Sequence, residues 1–464
     1  MRIRKVLTSL VVAALVLVGG VATSSPSNAA STLTSPTWMS NATVYEVNVR
    51  QYTAEGTFNA FSTHLDRLKK LGVKVLWFMP IQPISVKERK GTLGSYYSIA
   101  DYKGINPEYG TAADFKALVE KAHGLGFKIV LDWVPNHTGW DNPWITAHPD
   151  WYTKDSTGKI IHPAGTDWTD VADLNYSNQA MRAEMIASMK YWIDTYDIDG
   201  FRCDVAGAVP NDFWNTATAT LTAIKPLWML AETNPGEVTI GTNFTSAYNW
   251  PLKDAFNGMG RGNTDGFTIS GEITRIANDY PKGNYPMNFI TNHDENSWSG
   301  TEYTRLGSVA AVKAGAVISF TLPGAPLLYT GQEVGMNKML KFFEKDQVDY
   351  PATTSPMTPF YTKLIELKTK TPALAVGAAA GSIAEVPSNK FEVSTYVRTA
   401  GKSKVLVAVN LSAKPTLVKI TWGKNAGSFY DYATNKTVKV ASSHTITLPA
   451  WGYKIYTTNK LTNQ

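Results

Sequence analysis

The chain holds a single cysteine, Cys203, in 464 residues, so no internal disulfide can form. It contains no CxxC, HExxH or phosphate-loop pattern, which argues against zinc hydrolysis and nucleotide chemistry. Runs of Lys or Arg are missing too, and nucleic acid is not an expected partner. The formal net charge of +6 owes three of its positive charges to Arg2, Arg4 and Lys5 at the start of the chain. No Ser/Thr/Pro-rich linker and no additional module is evident near the C-terminus.

At 44% hydrophobic, the chain can bury a large core. Its 14 Trp and 22 Tyr suit sugar faces, although many must serve packing. Residues 1–30 read as a secretory signal: a charged start, the apolar stretch "VLTSLVVAALVLVGGVA", and a small-residue cleavage site ending at Ala29. A membrane anchor is the competing reading. The apolar run is short and no charged stop-transfer follows, so export without a membrane anchor is the expectation.

From about residue 41 to 370, short apolar strands alternate with helical stretches. The strands are "TVYEVNV", "VKVLWFMP", "KIVLDWV", "GFRCDVA", "WMLAET", "SAYNW", "MNFITNHDE" and "PLLYTGQE". Eight strands alternating with helices predict a parallel (β/α)8 TIM barrel over residues 31–371. A doubly wound open sheet is the alternative, but no glycine-rich dinucleotide turn follows the first strand. An aromatic, polar segment at about 137–173 is too long for an ordinary connection and reads as a small loop domain inserted after the third strand. Residues 372–464 switch to period-two strands and predict an all-β sandwich.

The stretch "GFRCDVAGAV", Gly200 to Val209, places two opposite charges inside an apolar strand. Side chains alternate along a strand, so Arg202 and Asp204 share one face and Cys203 packs into the core on the other. A neighbouring guanidinium keeps a buried carboxylate ionised, which suits a nucleophile and equally suits a structural ion pair. Three more clusters, "DWVPNHT", "LAET" and "FITNHDEN", fall at the C-terminal ends of predicted strands three, five and seven. Each carries a carboxylate and two carry a histidine. One such carboxylate is often a helix cap; four converging on one barrel mouth indicate a site.

In this order the motifs resemble the short sequence regions of the α-amylase superfamily of retaining glycoside hydrolases. Retention needs two carboxyl groups about 5–5.5 Å apart, one nucleophilic and one protonated. The resemblance implies that Asp204 is the nucleophile, Glu232 the acid and base, and Asp294 the third carboxylate gripping sugar hydroxyls. It implies that Arg202 holds Asp204 ionised and that His137 and His293 bind the sugar being cleaved. In "GSYYSIADY", Tyr97 matches the aromatic platform under that sugar, with Tyr96 as the alternative. Asp101 and Asp132 match positions supporting the site from behind.

The same resemblance implies calcium, held by Asn136, Asp173 and a backbone carbonyl at Ala208. The Lys-His pair many α-amylases carry after the nucleophile is Gly207-Ala208 here. Asn136 and Asp173 could instead hydrogen-bond to each other. Trp140, Trp144, Trp151, Tyr152 and Trp168 either stack on neighbouring glucose rings or pack the loop domain. Glu344 to Asp346 are expected to fix the barrel's end and its junction with the sandwich. The implied function is a secreted, monomeric α-amylase acting inside α-1,4-glucans such as starch or glycogen. The alternatives are an exo-acting α-glucosidase, a maltodextrin-cleaving enzyme, a transglycosylase, or a non-catalytic glucan-binding barrel.

Overall fold

The computed structural model describes residues 33–351 and 355–462. The expected signal segment at 1–30 lies outside them.

Eight short parallel strands form one sheet: β1 (Val44–Val47), β2 (Val75–Phe78), β3 (Lys128–Trp133), β4 (Gly200–Cys203), β5 (Trp228–Ala231), β6 (Ser246–Ala247), β7 (Met287–Asn288) and β8 (Ala325–Tyr329). β8 pairs with both β1 and β7, and a parallel bridge from Tyr248, just past β6, to Met287 in β7 closes the barrel. All eight strands fall on the predicted segments.

Helices fill the crossovers, and local chemistry sets their ends. Thr111 and Asp114 form a reciprocal capping box at the start of Ala112–Gly124, and the Asn178 side chain caps Gln179–Tyr196. Gly72 ends Leu65–Leu71 at φ 98°, a conformation that favours glycine. Gly124 is the last residue of helix Ala112–Gly124, and Gly126, at φ 91°, follows it.

Strand alternation divides the apolar core in two. Inward residues Val44, Val75, Trp77, Val130, Trp228, Leu230 and Leu327 fill the barrel. Outward Tyr45, Leu76, Leu131, Phe201, Cys203 and Met229 pack in the larger cluster shared with the helices. Gly200 is the inward residue at the bottom of β4. A Cβ there would sit 2.3 Å from the Trp228 carbonyl oxygen, so only glycine lets β4 and β5 approach this closely.

The excursion after β3 contains a two-stranded antiparallel pair, His137–Gly139 with Val171–Asp173, and short helical turns. Asp141 Oδ2 clamps it to the loop after β2 by accepting the Val86 and Lys87 N–H groups at 2.6 and 2.8 Å. The C-terminal strands are β9 (Ser382–Glu385), β10 (Val393–Ala400), β11 (Ser403–Asn410), β12 (Thr416–Thr421), β13 (Gly427–Asp431), β14 (Thr437–Val440), β15 (Ser443–Leu448) and β16 (Tyr453–Thr457). Six form one antiparallel sheet and β12 pairs with β15 in another; Leu406, Phe429, Val418, Ile420 and Leu448 join both in a shared core. Arg398 ties this region to the barrel, donating to the Thr321 carbonyl at 2.9 Å at the end of helix Val309–Thr321. No helix among the described residues is long and apolar enough to cross a membrane.

Candidate active site

The alternation that fills the barrel with apolar residues also sets a polar layer on top of them. Two residues along from Val44, Val130 and Leu230, the same inward phase brings Glu46, Asp132 and Glu232 to the C-terminal end. Arg202 and then Asp204 arrive on β4.

Arg202 is fully buried at the centre of this layer. Its Nη1 donates to Asp132 Oδ1 at 2.8 Å and Asp204 Oδ1 at 2.9 Å, and its Nη2 lies 2.6 Å from Glu232 Oε1. Its Nε donates to the Tyr248 hydroxyl at 3.1 Å. The expected pairing with Asp204 is present, but the guanidinium serves three carboxyl groups. The Val205 N–H donates to Glu232 Oε2 at 2.9 Å. Val205 adopts φ 37°, ψ 46°, a left-handed conformation that a β-branched residue rarely takes and that marks local strain next to Asp204.

Arg202 and the Val205 amide favour an ionised Glu232. Burial opposes them and prevails, pushing the Glu232 carboxyl well above its usual range, with Asp204 and Asp294 adding to the rise. Burial thus holds Glu232 toward its acid form on the same guanidinium that pairs with Asp204. Burial also raises Asp132, against the pull of Arg202.

A second chain of contacts crosses the barrel. His293 Nδ1 lies 2.5 Å from Glu46 Oε1, and its Nε2 lies 2.8 Å from the Tyr97 hydroxyl. That hydroxyl donates to Asp132 Oδ2 at 3.2 Å, joining the chain to Arg202. Burial works to lower His293, but Asp294 and Glu46 raise it to about 9, so it is an imidazolium at neutral pH. His293 Nε2 is 3.3 Å from Asp294 Oδ2. His137 is lowered by burial and stays neutral, with its Nδ1 3.2 Å from the Asn136 amide nitrogen.

These groups open on one cavity of about 540 Å³. Tyr97, His137, Asp204, Glu232, His293 and Asp294 all line it. Tyr96 does not; Arg50 lies 4.3 Å over its ring and Asn48 reaches its hydroxyl. Asp132 supports Arg202 from behind as expected, but Asp101 is exposed and only accepts the Lys103 N–H within its own turn. Among the five loop-domain aromatics, Trp168 lines the cavity. Trp144 and Trp151 pack together, Tyr152 bonds Thr138, and Trp140 donates to the Thr169 carbonyl. Glu344 bonds Thr92 and Asp346 pairs with Lys338, so both secure the barrel mouth and not the sandwich junction expected for them.

Asn136 and Asp173 lie together, since His137 pairs with Asp173 and the Leu174 N–H reaches the Asn136 carbonyl. Ala208 sits exposed on a 3-10 turn whose Gly207 faces Thr233 and Glu237. No cluster of three or more His, Cys, Asp or Glu suited to a metal occurs among the described residues.

Sequence reasoning passed over Glu46 and Tyr248. The signal for Glu46 was a lone charge at the inward phase of "VYEV". Tyr248, after the two-residue β6, left no comparable pattern.

Residues 26–363 match the family model for the α-amylase catalytic domain. An α-amylase, MalA, of Haloarcula japonica is 29% identical over 409 residues, covering 84% of this chain and 58% of that protein. A cyclomaltodextrin glucanotransferase of Niallia circulans is 27% identical, covering 78% of this chain and 54% of that one. The chain thus spans little more than half the length of these curated relatives. The crystal structure of an α-amylase from Lactobacillus plantarum superposes with a TM-score of 0.80 at 31% identity, covering 91% of this chain and all of that one. A match over most of the chain, on the same barrel, makes this protein a member of the α-amylase catalytic-domain family, within the α-amylase superfamily of glycoside hydrolases and transferases.

Proposed function

We propose that the chain is a secreted, monomeric α-amylase that hydrolyses internal α-1,4 bonds of starch-like glucans with retention. The observation that carries this reading is the single buried guanidinium of Arg202 spanning Asp204 and a Glu232 held toward its acid form. In the proposed reaction Asp204 attacks the anomeric carbon while Glu232 gives its proton to the departing glycosidic oxygen. The ester so formed on Asp204 is cleaved by water, whose proton returns to Glu232. Both Glu232 oxygens face donors in the free enzyme, so substrate must draw one of them into the cleft. Asp294, whose side chain is 37% exposed, is placed to accept sugar hydroxyls, with the His293 cation beside it. His137 and Tyr97 line the same cleft and complete the proposed sugar contacts.

Calcium belongs to the proposal at Asn136 and Asp173, whose oxygens are hard donors. Asp173 is half-buried, and burial raises its carboxyl above the usual range although Thr153 favours the charged form. A bound ion would tie the loop domain to β3; loss of thermal stability in chelator supports it, and no change counts against it.

The function is tested by following soluble starch over time. A rapid fall in iodine staining with mixed linear oligosaccharides supports endo-hydrolysis. Glucose or one short sugar alone indicates exo action, cyclic products indicate a transferase, and starch binding without cleavage indicates a binding barrel. Export is tested by sequencing the N-terminus of protein recovered from the medium, with Ala30 as the first residue expected.

A further inference from the structure

Three aromatic rings at the mouth of the cavity have no part in the chemistry above. Trp298 is 59% exposed, the most exposed tryptophan among the described residues, although it lies only four residues beyond Asp294. Phe342 and Phe343, from the segment after β8, are half-buried beside it, with ring centroids 5.4 and 5.9 Å from the indole. Phe342 in turn lies 6.2 Å from Tyr97 at an interplanar angle of 13°. All four rings line the cavity that holds Asp204 and Glu232.

The indole projects from a turn whose neighbouring residues are buried and bonded. Trp298 sits on the π-helical turn Glu295–Ser299, a geometry often found at functional sites. Glu295 is buried and pairs with Lys253 at 2.9 Å and Arg305 at 3.2 Å. Asn296 is fully buried, donating to the Lys338 carbonyl at 2.9 Å and accepting the Leu340 N–H at 2.8 Å. Those bonds tie the turn to the segment carrying Phe342. A large ring exposed beside a cleft, on a turn whose neighbouring residues are buried and bonded, offers a face to a flat apolar partner. A glucopyranose ring offers such a face, because its equatorial hydroxyls leave the axial C–H bonds bare.

We propose that Trp298, backed by Phe342 and Phe343, binds a second glucosyl unit of the chain whose reacting ring rests on Tyr97. This rests on the α-glucan reading above and extends it, because it makes affinity depend on chain length. Of the loop-domain aromatics, for which stacking and packing were both open, all but Trp168 pack, and the aromatic wall comes from the β7 and β8 loops instead.

The test is steady-state hydrolysis of α-glucosyl fluoride, which carries a single glucosyl unit, and of maltoheptaose by wild type, Trp298→Ala and Trp298→Phe. Loss of one aromatic face is worth about 3- to 10-fold in affinity. For Trp298→Ala, KM for maltoheptaose should rise by about that factor, kcat should change less, and the penalty should be smaller for α-glucosyl fluoride, which has no second unit; Trp298→Phe should recover part of it. An equal loss on both substrates, or none on either, overturns the site while leaving the α-glucan reading standing. A wild type inert on both sugars overturns that reading and this site with it.

Discussion

Replacing Glu46 by Gln asks whether the polar layer is held by charge or by shape. The amide keeps an acceptor for His293 Nδ1 but removes the negative charge 2.5 Å away. Asp294 and Glu46, working against burial, carry His293 from 6.5 to about 9. At about 1.4 kcal/mol per tenfold change in proton affinity, that rise corresponds to on the order of 3 kcal/mol of stability. A group whose pKa rises on folding contributes stability that is complete below its unfolded value and lost as pH climbs through its folded value. For His293 the window runs from 6.5 to about 9. The groups facing it are Glu46 from β1, Asp294 beside it, Arg202 from β4 and the Tyr97 hydroxyl. Glu46 is one of the two carboxylates responsible and is fully buried. Glu46→Gln should therefore cost about 1–3 kcal/mol near pH 6, shrinking to within about 1 kcal/mol near pH 10. Denaturant unfolding of both proteins at the two pH values measures the difference. An equal deficit at both would refute the charge argument and leave only packing.

Other outcomes follow from the same layer. Glu232→Gln should slow starch hydrolysis by about 10²- to 10⁴-fold, and much less on α-maltosyl fluoride, whose leaving group needs no proton; equal losses on both would exclude the acid role. Arg202→Met strands three buried carboxyl groups and should destabilise the fold by about 3–5 kcal/mol, read by thermal or denaturant unfolding, with unchanged stability as the contrary result. Gly200→Ala sets a methyl 2.3 Å from the Trp228 carbonyl oxygen. Forcing β4 from β5 should cost about 1–3 kcal/mol and lower activity, since Asp204 and Glu232 follow those two strands; full activity would show that their spacing is not critical.

The barrel was legible because a parallel strand buried on both faces is a short apolar run, and eight such runs between helices admit few arrangements. The site was legible for the same reason. Once the strands are known, Asp204, Glu232 and Asp294 must emerge at one end. What escaped lay where pattern is weak. Glu46 is a single charge in an apolar strand, and its importance comes from His293, some 250 residues away in the chain and 2.5 Å away in space. Trp298 and Phe342 come from two loops that meet only in the fold. The loop-domain aromatics left stacking and packing equally open, and four of the five pack, because a small excursion with a two-stranded sheet has few other residues with which to build a core.

The most direct measurement is to trap the bond that the mechanism requires. Glu232→Gln treated with α-maltosyl fluoride should form an ester on Asp204 faster than water can cleave it. Mass spectrometry of the quenched, digested protein should find one maltosyl group on the peptide containing Asp204, absent when Asp204→Asn is added. A maltosyl group on another residue, or β-anomeric maltose released with no adduct, would contradict Asp204 as the nucleophile.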